Sequence, residues 1–81
     1  DYLIVPMDNN YEYIFKVYNK LRDNGKKAEI CLLDKSFKSK MKYANRTKIP
    51  YVIIIGENEI NTNTVVIKNM QDGTQTVEKI F

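Results

Sequence analysis

Short apolar runs alternate with helical periodicities along this chain. Residues 2–5 are an apolar run closed by a proline, which predicts a buried strand ending at a loop. Apolar side chains then recur at helical spacing from Tyr11 to Leu21, and Gly25 follows as a left-handed stop, so we predict a first helix. Asn9 stands three residues before Glu12, which is the spacing of a reciprocal N-terminal cap.

Two further strands flank a second helix. Residues 27–33 predict the second strand, and Ser36 follows as the cap of a helix that must end before Pro50, because a residue preceding proline is displaced from helical conformations. Residues 51–55 are β-branched and apolar on both faces, which is typical of a central strand buried between helices. A glycine ends that strand, and residues 57–60 predict one helical turn.

The last part of the chain predicts a hairpin. Residues 64–69 and 74–77 have strand patterns and are joined by a turn at 71–73, and residues 77–81 suggest the start of a last helix. The order βαβαβ plus hairpin predicts one α/β domain over residues 1–81. Its mixed five-stranded sheet would have three parallel strands with right-handed crossovers and the hairpin at one edge, flanked by helices in three layers.

Length and composition narrow the class of protein. A chain of 81 residues supports one small core, and no apolar run approaches the roughly 20 residues of a membrane span. The single cysteine, Cys31, excludes an internal disulfide and lies in a predicted strand, where it is interpreted as a buried core residue. No secretory signal is visible, so we expect an intracellular, cytoplasmic protein without a membrane partner.

Positive charge is concentrated in one segment. The net charge is +3, but residues 35–48 hold five lysines and one arginine with no acidic residue. Lys38, Lys42 and Arg46 follow one another at i, i+4 and i+8, which is one row along a helix. A cationic row on an otherwise near-neutral domain suggests a partner that is a polyanion, and nucleic acid is the first candidate.

The other side of this helix is predicted to be buried. Phe37, Met41 and Ala44 form its apolar stripe, and we interpret Phe37 and Tyr51 as core residues. Tyr43 lies off the stripe and is the better candidate for stacking on an unpaired base. The alternative is a solvated lysine face that keeps a small domain soluble.

The sequence gives little support for catalysis. It has no histidine, no GxGxxG and no Walker A motif, so a His-based metal site or triad is excluded. Carboxylates stand near the predicted ends of parallel strands, where α/β sheets bind ligands. These are Asp8, Asp34, Glu57 and Glu59. They would serve in acid–base catalysis, bind magnesium or simply cap loops. We expect no catalytic residue and no cofactor in this domain.

Taken together, these residues resemble the C-terminal anticodon-binding domain of class II aminoacyl-tRNA synthetases. The matching segments are LIVPM at 3–7, LRDNG at 21–25, SFKSKMKYA at 36–44, IPYVIIIGENE at 49–59, VIKNM at 66–70 and DGTQ at 72–75. The Gly-Glu-x-Glu after the third strand is shared with threonyl and prolyl relatives, whereas the closing KNM-x-DG-x-Q is more similar to the histidyl branch.

The resemblance implies a partner and a division of roles. The domain would grip the anticodon loop of histidine tRNA, with no DNA partner. It would be docked on a catalytic domain of the same parent chain, which would use ATP and Mg²⁺ to attach histidine to the tRNA, within a homodimer. Lys38, Lys42 and Arg46 would hold phosphates with help from Lys35. The base contacts implied are Met7, Asp8, Asp34 and Glu57, with Tyr43 as a stacking candidate.

Two departures from the family pattern and two alternatives stay open. Lys35 stands where relatives often have glycine, and residues 46–48 lack the glycine that many relatives have near Ile49. One alternative function is protein contact, as in regulatory paralogues of the histidyl enzyme or a related polymerase accessory subunit. The other is a small flavodoxin-like enzyme that binds phosphate at the strand ends, against which the poor phosphate cradle of residues 6–10 argues.

Overall fold

Three helices and five strands make up the described part of the chain. The computed structural model describes residues 2–7, 10–31 and 36–79, except for the side chain of Phe37. The elements in chain order are β1 (Tyr2–Pro6), α1 (Tyr11–Asp23), β2 (Ala28–Ile30), α2 (Phe37–Arg46), β3 (Tyr51–Ile55), α3 (Glu57–Thr62), β4 (Thr64–Asn69) and β5 (Gln75–Lys79).

The strands form one mixed sheet in the order β2-β1-β3-β4-β5. β1 is parallel to both β2 and β3, with Tyr2 opposite Ala28 on one side and opposite Tyr51 on the other. β4 is antiparallel to β3 and to β5, with Ile67 opposite Thr76 in the hairpin. The predicted mixed five-stranded sheet with a hairpin at one edge is therefore confirmed.

The two faces of the sheet carry separate clusters of buried residues, because successive side chains of a strand point to opposite faces. Ile4 and Ile53 pack on the α1 side, together with Val17 of the helix. Leu3 and Val52 pack on the opposite side, against Ala44 of α2. All six of these residues are inaccessible to solvent, so a core lies on each side of the sheet.

The ends of α1 depend on local hydrogen bonds. The N-terminal cap is Asn10, whose side chain accepts a hydrogen bond from the Tyr13 N–H at 3.2 Å. The prediction placed the cap one residue earlier, at Asn9, which lies outside the described residues. At the other end, Gly25 has φ of 77° and its N–H donates to the Arg22 carbonyl at 3.0 Å, so the predicted left-handed stop is confirmed.

The C-terminal segment differs from the prediction. Residues 77–79 belong to β5, in which Val77 pairs with Val66 and Lys79 with Thr64, so the helix predicted from residue 77 is wrong for the described residues. Pairing with β4 satisfies the same backbone groups, and the turn at residues 70–73 sets its register.

Candidate nucleic-acid interface

The carboxyl ends of β1 and β3 meet at one edge of the sheet, which we call the strand-end edge. Pro6 pairs with Ile55 as the last residue of each strand, and the Met7 N–H donates to the Ile55 carbonyl at 2.7 Å. Met7 is 53% exposed although it is held by this backbone contact. The structure thus presents an apolar side chain to solvent at the edge where α/β sheets bind ligands.

The loop after β3 is fixed by a carboxylate. The Glu59 Oε1 accepts a hydrogen bond from the Gly56 N–H at 2.7 Å, which is half of a capping box, since glycine has no side chain to return the bond. A Cβ at position 56 would lie 3.1 Å from that oxygen and 3.9 Å from the Met7 Cβ. Glu57, the next residue, is exposed and begins α3.

A buried tyrosine ties α3 to the rest of the domain. The Tyr13 hydroxyl lies 2.6 Å from the Thr64 carbonyl oxygen and 3.2 Å from the Glu59 carbonyl oxygen. Burial, and secondarily the negative charge of Glu59, raises the pKa of Tyr13 above its usual value. The neutral hydroxyl therefore remains a donor that holds the start of β4 and the end of this loop together.

The cationic row of α2 points away from the sheet. Lys38, Lys42 and Arg46 are all exposed, whereas Ala44 is fully buried and Met41 packs against the α2-side cluster. The helix contains no acidic residue, so these cations have no intrahelical ion pair. The predicted cationic face exists and is free to approach a polyanion from outside the sheet.

Lys40 differs from these cations, and the sequence reasoning missed it. It is half-buried, and its Nζ donates to the Pro6 carbonyl at 3.4 Å. The signal was available, because Lys40 precedes the inward-facing Ala44 by four residues and must lie near the same side of the helix. Lys40 does not belong to the row at i, i+4 and i+8, so the spacing of that row does not identify it.

Two aromatic residues lie in places other than those predicted. Tyr43 is half-buried and packs against the α2-side cluster, so it does not lie off the apolar stripe as the helical spacing suggested. Tyr51 is 36% exposed and stacks on Tyr2, with 5.3 Å between the ring centroids. These two residues begin β1 and β3, so the pair lies at the amino ends of the strands, whereas Met7 lies at their carboxyl ends.

The remaining predicted contacts, Asp8, Asp34 and Lys35, lie outside the described residues, as does the Phe37 side chain. Among residues 2–7, 10–31 and 36–79, no three acidic or cysteine side chains are grouped in a way that would hold a metal ion. In the same ranges no helix is both long and apolar enough to cross a membrane. The described residues that we consider at the strand-end edge are Met7, Lys40 and the segment from Gly56 to Glu59, where α3 begins.

Solved structures with this architecture include aminoacyl-tRNA synthetases. The RNA-binding domain of threonyl-tRNA synthetase from Cryptosporidium parvum matches 99% of the chain with a TM-score of 0.89 at 17% identity, which supports the fold alone. Apo histidyl-tRNA synthetase from S. aureus matches 99% of the chain with a TM-score of 0.84 at 34% identity, over 24% of its own length.

Sequence comparison defines the family. The model of the anticodon-binding domain matches residues 1–80, and the chain belongs to this family. Histidine–tRNA ligase of Clostridium acetobutylicum is 49% identical over 74 residues, and that of Clostridium tetani is 45% identical over 73 residues. The chain spans 17% of the length of each of these two relatives.

Proposed function

We propose that this chain is the anticodon-binding domain of a histidine–tRNA ligase and that it recognises the anticodon of histidine tRNA. The observation that carries the proposal is a site of two parts, with a cationic helix beside a strand-end edge that offers polar and apolar groups to bases. The names of relatives at 45–49% identity support the histidyl assignment.

The outer face of α2 would provide affinity. Lys38, Lys42 and Arg46 are exposed along about two turns of helix, in position to neutralise successive phosphates of an RNA loop. Such contacts carry no base information, but they orient the loop on the domain. Lys35 would extend this row from the preceding loop.

The strand-end edge would provide specificity. Met7 offers an apolar surface to the face of an unstacked base, and the exposed carboxylate of Glu57 accepts hydrogen bonds from the N–H groups of guanine. Histidine tRNA carries the anticodon GUG, so two of its three bases are guanines. Asp8 and Asp34 are proposed as further acceptors, and Tyr43 as a contact at the margin of α2.

The proposal includes a larger parent protein. The catalytic domain of that parent protein would bind ATP and Mg²⁺ and attach histidine to the tRNA end. The parent would be a cytoplasmic homodimer. No residue of the present chain is assigned to that chemistry. Among the described residues, those that we assign to RNA lie on α2 and at the strand-end edge.

The test is binding to an anticodon stem-loop of histidine tRNA, beside a stem-loop with altered anticodon bases. We expect Lys42→Ala to weaken binding to both and to reduce the slope of log affinity against log salt by about 0.7. Glu57→Ala should instead relax the preference for GUG by about 5- to 150-fold, in line with 1–3 kcal/mol for direct base readout. If the two variants behave alike, the division between phosphate and base contacts is wrong.

A further inference from the structure

Lys40 brings a positive charge to the strand-end edge from the α2 side of the sheet. Its stem is half-buried against the domain, and its Nζ lies 3.4 Å from the carbonyl oxygen of Pro6, the residue that precedes Met7. The amine is therefore held near the position proposed for a base, unlike the three cations on the outer face of α2. Because an ammonium has three N–H donors, the long bond to Pro6 leaves donors for a ligand.

Glu57 approaches the same edge from the opposite side. It begins α3, whose Ile60 packs with the α1-side cluster, whereas Lys40 belongs to the helix that covers the other face. Met7 lies at the same edge, since its backbone bonds to Ile55 and its Cβ is close to position 56. The edge therefore combines a donor, an apolar surface and an acceptor.

A donor next to an acceptor is complementary to guanine and also to uracil, whose O4 and N3–H repeat the pattern, but only guanine adds a second donor, the N2 amino group, for the carboxylate. The base carries an acceptor, O6, next to a donor, N1–H, whereas adenine has a donor at position 6 and an acceptor at N1. An ammonium beside a carboxylate therefore favours guanine and leaves both groups wrongly paired with adenine. Lysine is one of the side chains that bind guanine through its O6 and N7 acceptors.

We propose that Lys40 is a specificity-determining residue, which donates to the O6 of one anticodon guanine while Glu57 accepts from the N–H groups of the same base. The inference rests on the proposed function and adds to it a named base, a named atom and a residue outside the cationic row. It also separates the lysines of α2 into one that reads a base and others that bind phosphate.

The experiment compares Lys40→Met with Lys42→Met and with Lys20→Met, a matched loss of charge on the exposed side of α1. Methionine keeps an apolar stem in the half-buried position, and thermal unfolding checks that each variant is folded. The ligands are the GUG stem-loop and two stem-loops in which one guanine or the other is replaced by adenine. Affinity is measured over a salt series.

We expect the wild-type chain to prefer guanine over adenine at one of the two positions by well over tenfold, because Lys40 and Glu57 would read the same base. Lys40→Met should lower the preference at that position only, by about tenfold, while Lys42→Met lowers affinity for all three loops and keeps the preference. Lys40→Gln, which retains an N–H donor, should keep part of it. Lys20→Met should behave as the wild type does.

Three results would overturn the inference. Retention of the guanine preference in Lys40→Met would show that the amine does not read the base. An equal loss for all three loops with a smaller salt slope would assign Lys40 to a phosphate. A wild-type chain with no preference for GUG would remove the proposed function itself, and the inference with it.

Discussion

Lys48 occupies a backbone position whose conformation favours glycine. It has φ of 58°, in the left-handed region, two residues after the end of α2. Its N–H donates to the Asn45 carbonyl at 3.2 Å, and the Ile49 N–H donates to the Ala44 carbonyl at 3.1 Å. This is the hydrogen-bond pattern of a Schellman motif, in which the left-handed position is usually glycine.

Replacing Lys48 by glycine should therefore stabilise the domain. A side chain with a Cβ in this conformation costs about 1–2 kcal/mol, while glycine adds about 0.5–1 kcal/mol of backbone entropy in the unfolded chain. The lysine is exposed, so little packing is lost with its side chain. The net gain should be about 1 kcal/mol, which corresponds to a rise in Tm of about 4–8 °C for a domain of this size.

Thermal unfolding followed by circular dichroism measures this gain, with two control variants. Lys48→Ala removes the same charge but keeps a Cβ, so it should not raise the Tm. Asn63→Gly alters the other described non-glycine residue with positive φ, at 56°, and should gain less because asparagine tolerates this conformation. If Lys48→Gly is no more stable than Lys48→Ala, the left-handed strain is not what limits this helix end.

The other predictions concern contacts around the candidate interface. Tyr13→Phe should cost about 1–2 kcal/mol in urea unfolding, because it removes a buried donor to the Thr64 carbonyl. A group whose pKa is raised by folding contributes its full stabilisation below its unfolded pKa and loses it as the pH rises through the folded pKa. The difference in free energy of unfolding between the wild type and Tyr13→Phe should therefore shrink as the pH rises through the raised pKa of Tyr13. A difference that is constant with pH would contradict this. Glu59→Ala should lower the free energy of unfolding by about 0.5–2 kcal/mol, because it leaves the Gly56 N–H without its acceptor. It should also lower the preference for GUG if the start of α3 positions Glu57. Unchanged stability would refute the cap. Asp72 accepts hydrogen bonds from the Thr74 N–H and hydroxyl, which lower the pKa of Asp72. Its stabilisation of the hairpin should therefore be lost as the pH falls, with faster amide exchange at Thr74 in Asp72→Ala than in the wild type at neutral pH, and equal exchange would rule this out.

Features that depend on local periodicity could be predicted from the sequence. The run from Tyr51 to Ile55 is apolar on both faces because β3 is covered by a helix on each side, and that pattern is visible without a structure. The left-handed conformation of Gly25 was predictable from the residue type, since few other residues adopt this conformation at low cost.

Features set by competition between neighbours were not predictable. Asn9 and Asn10 are adjacent residues of equal capping ability, so the sequence alone did not select between them. The segment from Val77 is a strand because β4 offers a partner, and that partner is not visible in the local pattern.

The candidate site shows the same limit. Spacing alone identified the outer cations of α2, because a row of like charges is periodic. Lys40 and Tyr43 required knowledge of how the helix is rotated against the sheet, which is set by the packing of Ala44 and Met41. The distance from Lys40 to Pro6 joins residues 34 positions apart and has no signature in the sequence.

The most direct test of anticodon binding at the strand-end edge uses the methionine methyl groups as probes. The chain has three methionines: Met7 lies at this edge, Met41 on the sheet side of α2, and Met70 beyond β4, bonded through its N–H to Pro50 just before β3 begins. Methyl-labelled methionine spectra would be recorded during titration with the GUG stem-loop and with the altered stem-loop. We predict that GUG shifts the Met7 signal strongly and the Met70 signal little, and that the altered loop has a smaller effect on Met7. A shift confined to Met70, or an equal response of Met7 to both loops, would contradict base recognition at this edge.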